Sequence, residues 1–544
     1  MSTKESFYKN EISRKNPLFS RMRVTVETAF YRNNVETVST PKEAYKLALK
    51  SPGTIVTDWE VYKPEFLGLD RGTKVLLFND GAITGRYAAG RRIIGTPGID
   101  DEKYAEIVRE AVYRSRYKKM YHGISFTGLS REFMVKNHIL IPEGHENLLY
   151  NWLLNFQFPS PEYEKMYLDS EKFEDGDIYI FTDPDWTHPD YPFGLAIFDP
   201  DHNCAAILGM RYFGEFKKGT LTLGWATANR NNFVSCHGGL KRFECKDKIY
   251  VTAFFGLSGS GKSTLTHAKH GGKYRISVLH DDAFIISLDN LSSIALEPSY
   301  FDKTSDYPSD SMDNKYLLTV QNCGVTKDEK GRIIPVMEDI RNGNGRAIKS
   351  KLWSQNRMDK IDEPINSIFW LMRDPVLPPV VKIDDVILAS TMGAALTTKR
   401  TTAEKLDSGV DPNALVFEPY ANPFRTYPLV DDYMKFKRLF EKGVECYILN
   451  TGYFLEKKIP KEVTISIVEK IMENKLTWKS WIKDLRYGVI DGFEPPESSE
   501  YKHLLKESIL RRLKFIVLKK TENGGRDKLP EETENVLQIL MESI

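Results

Sequence analysis

Ile249-Tyr250-Val251-Thr252-Ala253-Phe254-Phe255 runs straight into Gly256-Leu257-Ser258-Gly259-Ser260-Gly261-Lys262-Ser263, and then into Thr264-Leu265-Thr266-His267. The first part is a continuous apolar, β-rich run of the kind buried on both faces of a sheet. The second matches G-x-x-x-x-G-K-[ST] at every fixed position, and the third is compatible with a helix. Strand, glycine-rich turn and helix in that order form a phosphate-binding loop. The glycines let successive backbone N–H groups face phosphate oxygens, and the positive end of the helix adds to them. In this reading Gly256, Leu257, Ser258, Gly259, Ser260, Gly261, Lys262, Ser263 and Thr264 bind a nucleotide, ATP. Lys262 reaches its β and γ phosphates, and the Ser263 hydroxyl ligates Mg²⁺.

Working outward, His280-Asp281-Asp282 follows a second predicted strand, Ile276 to Leu279, and sets two carboxylates where an acidic group for the nucleotide's metal is expected. Further strands are predicted at Lys74 to Phe78, Ser367 to Met372 and Glu445 to Leu449, and a hairpin around Asp199-Pro200-Asp201-His202-Asn203. Lys103 to Met120, His145 to Phe156, Tyr501 to Lys520 and Glu531 to Ile544 read as helices. The fold class is α/β. At 544 residues two large domains are expected, 1–240 on the substrate side and 241–544 carrying the phosphate loop and a helical tail.

Composition narrows the function classes. Hydrophobic residues at 41% and charged residues at 28% describe a globular chain. Lys+Arg 76 against Asp+Glu 75 gives a net +1, which provides no global field for nucleic acid or an anionic membrane. The cysteines Cys204, Cys236, Cys245, Cys323 and Cys446 are odd in number and form no C-x-x-C pair, so neither a disulfide framework nor a structural zinc site is expected. No run approaches the ~18 apolar residues of a membrane span, and the polar start of the chain has no apolar signal core, so a cytoplasmic location is expected.

Other segments stand in a recognisable order. Gly81-Ala82-Ile83-Thr84-Gly85-Arg86 is similar to a G-x-x-T-G-R substrate segment, Tyr212 to Gly219 to Y-G-G-E-M-K-K-G, and Ser235-Cys236-His237 to S-M-H-C. Asp281-Asp282 stands where paired aspartates belong, Tyr300 to Thr304 resembles Y-A-K-T, Leu377-Pro378-Pro379 matches L-P-P, and Asn450-Thr451-Gly452 matches N-T-G. Together with the phosphate loop, this set resembles ATP-dependent phosphoenolpyruvate carboxykinase, over about residues 80 to 455.

The resemblance implies a two-domain carboxykinase-type fold whose C-terminal domain binds a mononucleotide. It implies the reaction of oxaloacetate and ATP to phosphoenolpyruvate, CO₂ and ADP, small molecules being the only partners, with Mg²⁺ on the nucleotide and a second ion, usually Mn²⁺, at the substrate. Carried over residue by residue, Lys218, His237 and Asp282 hold the second ion, Arg86 offers a planar fork to a substrate carboxylate, and Tyr212 packs beside the substrate. Lys262 and Asp281 serve the phosphoryl group, and Lys382 stands where the family has an arginine after L-P-P.

The chain also departs from the family. After Arg86 it reads Tyr87-Ala88-Ala89-Gly90-Arg91 in place of S-P-K-D-K, after Asp282 it reads Ala283-Phe284-Ile285-Ile286 in place of E-H-G-W, and Gly238-Gly239-Leu240 replaces S-A-N. Two other readings therefore stand beside the carboxykinase: a P-loop kinase with another acceptor, resembling HPr kinase, and a degenerate nucleotide-binding protein.

Overall fold

The apolar run forms the strand Lys248–Phe255, buried from Tyr250 onward. It pairs antiparallel with Phe233–Cys245 on one side and parallel with Ser367–Met372 on the other, and Ser367–Met372 runs parallel to Glu445–Asn450. Neighbours on both sides and apolar contacts above and below explain why this segment is continuously apolar rather than alternating. The three parallel strands end side by side. The turns that leave them, beginning at Gly256, Arg373 and Thr451, therefore start at one edge, the place where open α/β sheets seat their ligands.

The computed structural model describes residues 1–82, 84–245, 248–257, 259–308, 310–338, 343–399 and 415–544. It is a mixed α/β arrangement, and among these residues the main sheets have seven, eleven and five strands. The expected strands at 74–78, 276–279, 367–372 and 445–449 are present, as Lys74–Phe78, Arg275–His280, Ser367–Met372 and Glu445–Asn450. The hairpin joins Leu195–Asp199 to Cys204–Leu208. The expected helices appear as Asp101–Arg114, Glu146–Asn155, Ser499–Leu518 and Glu532–Glu542. None of the helices among the described residues is long and apolar enough to cross a membrane.

Two features tie the halves of the chain together. The five-stranded sheet pairs Thr54–Glu60 and Lys74–Phe78 with Leu317–Gln321, Arg346–Lys349 and Tyr300–Lys303, strands far apart in sequence. The strand Phe233–Cys245 spans the expected boundary at 240 without interruption: Phe233 to His237 pair with Ala283–Ser287, and Gly238 to Cys245 with Lys248–Phe255. His237 stands at that change of partner.

A helix that the sequence does not announce lies beneath the site. Phe213–Arg230 is enclosed on nearly every face, and from Phe213 to Ala228 only Lys218 is not buried. A helix buried on all faces, with Glu215 and Lys217 among its enclosed residues, shows no single apolar stripe at 3.6-residue spacing, which is why periodicity passes over it.

Candidate active site

Strand register brings the acidic and basic groups together. His237 pairs with Ala283, so Asp282, one residue earlier, is delivered beside the imidazole, and Gly238 N donates to the Asp282 carbonyl at 3.1 Å. The enclosed helix turns Lys217 and Lys218 toward the same carboxylate. Lys217 Nζ lies 2.6 Å and Lys218 Nζ 2.7 Å from Asp282 Oδ2, while His237 Nε2 lies 2.9 Å and Lys262 Nζ 3.7 Å from Oδ1. Three ammonium groups and a histidine thus surround one aspartate.

Burial and these neighbours divide the protonation states. Burial would lower Lys217, but Asp282 and the fully buried Glu297, 2.9 Å away, outweigh it and raise its pKa. Lys218 lacks the second carboxylate contact, and burial, aided by Lys217, pushes it down to about 8 despite Asp282. His237 is pushed down to about 3 by burial and by the Lys262 and Lys218 charges. Burial acts to raise Asp282, but Lys217 and Lys218 hold it well below the usual carboxylate range. Asp281 is held low against burial chiefly by His267, whose Nε2 is 3.2 Å from its Oδ2.

The donor set fits a divalent cation. His237 Nδ1 lies 2.5 Å from the Ala421 carbonyl, which can only accept, so the ring proton sits on Nδ1. Nε2 then faces the Asp282 carboxylate at 2.9 Å, an approach that either a proton or a metal ion on Nε2 satisfies. The Nδ1–H to carbonyl contact is also the one that orients metal-ligating histidines. Among the described residues no group of three or more His, Cys, Asp or Glu side chains is arranged to hold a metal, and the Lys218 amine lies beside His237 and Asp282.

The loop closes the other side. Gly259 and Gly261 have φ of +83° and +90°, left-handed backbone that a side chain would strain. Lys262–His267 follows as a helix and packs against the strand at Gly239, where an added Cβ would come within 1.9 Å of Thr266 Oγ1. Glycine at 239, one of the departures from the family pattern, is thus the residue that admits this helix.

A cleft of about 450 Å³ collects most of the expected site. Arg86, Tyr212, Lys218, His237, Leu257, Gly259, Gly261, Lys262, Ser263, Thr264, Asp281 and Asp282 line it. Gly256 and Ser260 lie within the loop, behind that wall, and Ser258 lies outside the described residues, as does Ile83 of the Arg86 segment. Lys382 is not at the cleft. It stands on the strand Val380–Ile383, cross-strand from Tyr447, and pairs with Glu445 at 2.5 Å, because the strand carries its side chain to the far end of Glu445–Asn450. The expectation that Lys382 serves the reacting phosphate is corrected by this placement.

Residues that the sequence did not single out complete the wall. Arg346, 4% exposed, lines the cleft because its strand pairs it with Lys303. Phe424 lies under the Arg86 guanidinium, 4.5 Å from carbon to ring centroid, and near Lys218 at 4.7 Å. The Arg86 segment is held by Asn322 and Asn344, which donate to the Thr84 carbonyl at 3.0 and 2.6 Å. No local motif marks these positions; Arg346 reaches the cleft through pairing of distant strands, and Phe424 from the turn that follows Pro419–Ala421.

Over most of its length the sequence is similar to known proteins of one kind. A sequence profile of phosphoenolpyruvate carboxykinase, in its ATP-dependent form, matches residues 73–491. The ATP-dependent phosphoenolpyruvate carboxykinase of Aeropyrum pernix is 25% identical over 347 residues, 60% of this chain and 68% of the relative. That of Cereibacter sphaeroides is 24% identical over 472 residues, 77% of this chain and 80% of the relative. That of Staphylococcus aureus is 26% identical over 312 residues, 53% and 54% of the two chains.

Proposed function

Since the chain belongs to the ATP-dependent phosphoenolpyruvate carboxykinase family, we propose that it converts oxaloacetate and ATP to phosphoenolpyruvate, CO₂ and ADP. The observation that carries this reading is the convergence of Lys218, His237 and Asp282 in the cleft that also holds Lys262. In the reaction the bond to the departing carboxylate breaks, its electron pair passes into an enolate, and the enolate oxygen takes the γ-phosphoryl group as ADP leaves.

The residues divide the work. Arg86, seated on Phe424, presents a bidentate fork to a substrate carboxylate, with Tyr212 packed beside it. Lys262 draws the β and γ phosphates toward the substrate, and Arg346 and Lys303 add positive charge on the same wall. Lys217, kept charged by Glu297, fixes Asp282 from behind. Mn²⁺ would be held by Lys218, His237 and Asp282, and Mg²⁺ by Ser263 with the nucleotide. Bound there, a divalent ion polarises a carbonyl and stabilises negative charge on oxygen. The substrate-side portion before residue 240 and the nucleotide portion after it, joined by the strand Phe233–Cys245, remain part of this proposal, as does a cytoplasmic place of action.

The test is a coupled assay of oxaloacetate with ATP, GTP and pyrophosphate in parallel, each with Mn²⁺. CO₂ release that requires both oxaloacetate and ATP supports the carboxykinase. ATP consumption indifferent to oxaloacetate would favour a kinase with another acceptor, and ATP binding without turnover a degenerate binding protein.

A further inference from the structure

Arg373 is the first residue after the strand Ser367–Met372, whose parallel neighbours lead into the phosphate loop on one side and Thr451-Gly452 on the other. The turn that carries it is held firmly. Asn450 Nδ2 donates to the carbonyls of Asp374 at 2.9 Å and Leu377 at 2.7 Å, and Thr451 N to that of Met372 at 3.0 Å. The Asp374 carboxylate, buried, pairs with Arg512 at 2.9 Å and accepts from Ser508 Oγ at 2.6 Å. The backbone at 373 is thereby fixed, and only the side chain is left to choose its contacts.

That side chain passes Gly452, where an added Cβ would lie 3.5 Å from Arg373 Cβ and Cγ, and donates through Nη2 to the carbonyl of Gly259 at the turn of the phosphate loop. Its Nε is buried and meets no acceptor among the described residues. A guanidinium has five N–H donors in a rigid fork, and a single carbonyl engages few of them. A half-buried cation left so under-used at the mouth of a phosphate loop is matched by a group rich in anionic oxygens.

We propose that Arg373 is a phosphate-binding residue of the nucleotide site, resting on the Gly259 carbonyl and donating to the terminal phosphates of a nucleoside triphosphate seated on the loop. This rests on the reading of that loop as a triphosphate site. The terminal phosphates are assigned because Gly259 lies three residues before Lys262, which serves the β and γ positions. Arg373 also supplies a guanidinium from just before Leu377-Pro378-Pro379, whereas Lys382, just after it, points elsewhere.

The test is calorimetric titration of the full chain with MgATP, MgADP and AMP for wild type, R373A, R373K and K262A, with melting temperatures measured without nucleotide. R373A is expected to bind MgATP roughly 10-fold or more weakly, as loss of a charge-assisted contact to phosphate would cause, with AMP affinity and melting temperature unchanged and R373K in between. MgATP affinity equal to wild type in R373A, while K262A loses binding, would overturn the assignment and leave the loop reading intact. Equal weakening for AMP and MgATP would also overturn it, since the arginine would then be shaping the loop. Failure of wild type to bind MgATP would reject both the assignment and the reading beneath it.

Discussion

His237 Nε2 stands 2.9 Å from Asp282 Oδ1 because the strand residue paired with His237 is Ala283, the next residue after that aspartate. The contact is a consequence of register, and with Nδ1 on the Ala421 carbonyl it is Nε2 that faces the proposed cation position. His237→Gln is therefore expected to weaken Mn²⁺ binding roughly 10-fold or more with little change in melting temperature. Electron paramagnetic resonance of free Mn²⁺ would measure it, and unchanged affinity would remove His237 from the set.

Asp282→Asn should act on stability as well. It leaves Lys217 and Lys218 in a buried setting without the shared carboxylate, a change on the order of 3–5 kcal/mol for a broken buried pair, discounted here because the Asp282 side chain keeps 19% of its exposure and Glu297 still holds Lys217. Urea unfolding of the variant checks this; a midpoint equal to wild type would show that the cluster tolerates the uncompensated charge.

Metal binding should depend on pH in a stated direction. Lys218 ligates only when neutral, and its pKa is pushed down to about 8. Below that value a proton must be displaced, so Mn²⁺ affinity is expected to fall by about 10-fold per pH unit and to level off above it. His237 is already neutral throughout this window and adds no slope. Titrations at several pH values in wild type and Lys218→Met test it: a slope that survives the substitution would assign the proton elsewhere.

Lys382→Met is expected to leave kcat/KM within about 2-fold of wild type, since the side chain pairs with Glu445 away from the cleft and such pairs contribute about 0.2–1 kcal/mol. A loss of two orders of magnitude would instead return Lys382 to the phosphate.

Gly239→Ala forces a Cβ against Thr266 Oγ1 at 1.9 Å, so the loop helix must move. A stability loss of ~1–3 kcal/mol is expected, together with weaker MgATP binding. Combining it with Thr266→Ala should recover part of both, which a double-mutant cycle reads out. Additive losses would mean that the helix is not seated on this glycine.

How much of this was legible beforehand depended on the range of the signal. The strand and the helix on either side of the glycine-rich turn could be read directly, because strand, glycines, lysine and helix are contiguous and each follows from local backbone chemistry. The paired aspartates and the Arg86, Tyr212 and His237 segments could be read as an ordered set through the family resemblance. The helix Phe213–Arg230 could not, since burial on all faces erases amphipathic period. Nor could the placement of Arg346 and Phe424, or the departure of Lys382 from the cleft.

The sequence by itself determined the strand before the glycine-rich turn and the helix after it, and that the chain is of the carboxykinase kind. Tertiary structure alone decided which charged groups share a cavity. Register between Phe233–Cys245 and Ala283–Ser287 sets Asp282 against His237, and burial beside one or two carboxylates makes Lys217 the charged lysine and Lys218 the one that can become neutral. Backbone conformation follows from neighbours along the chain, whereas a side chain's protonation follows from neighbours in space.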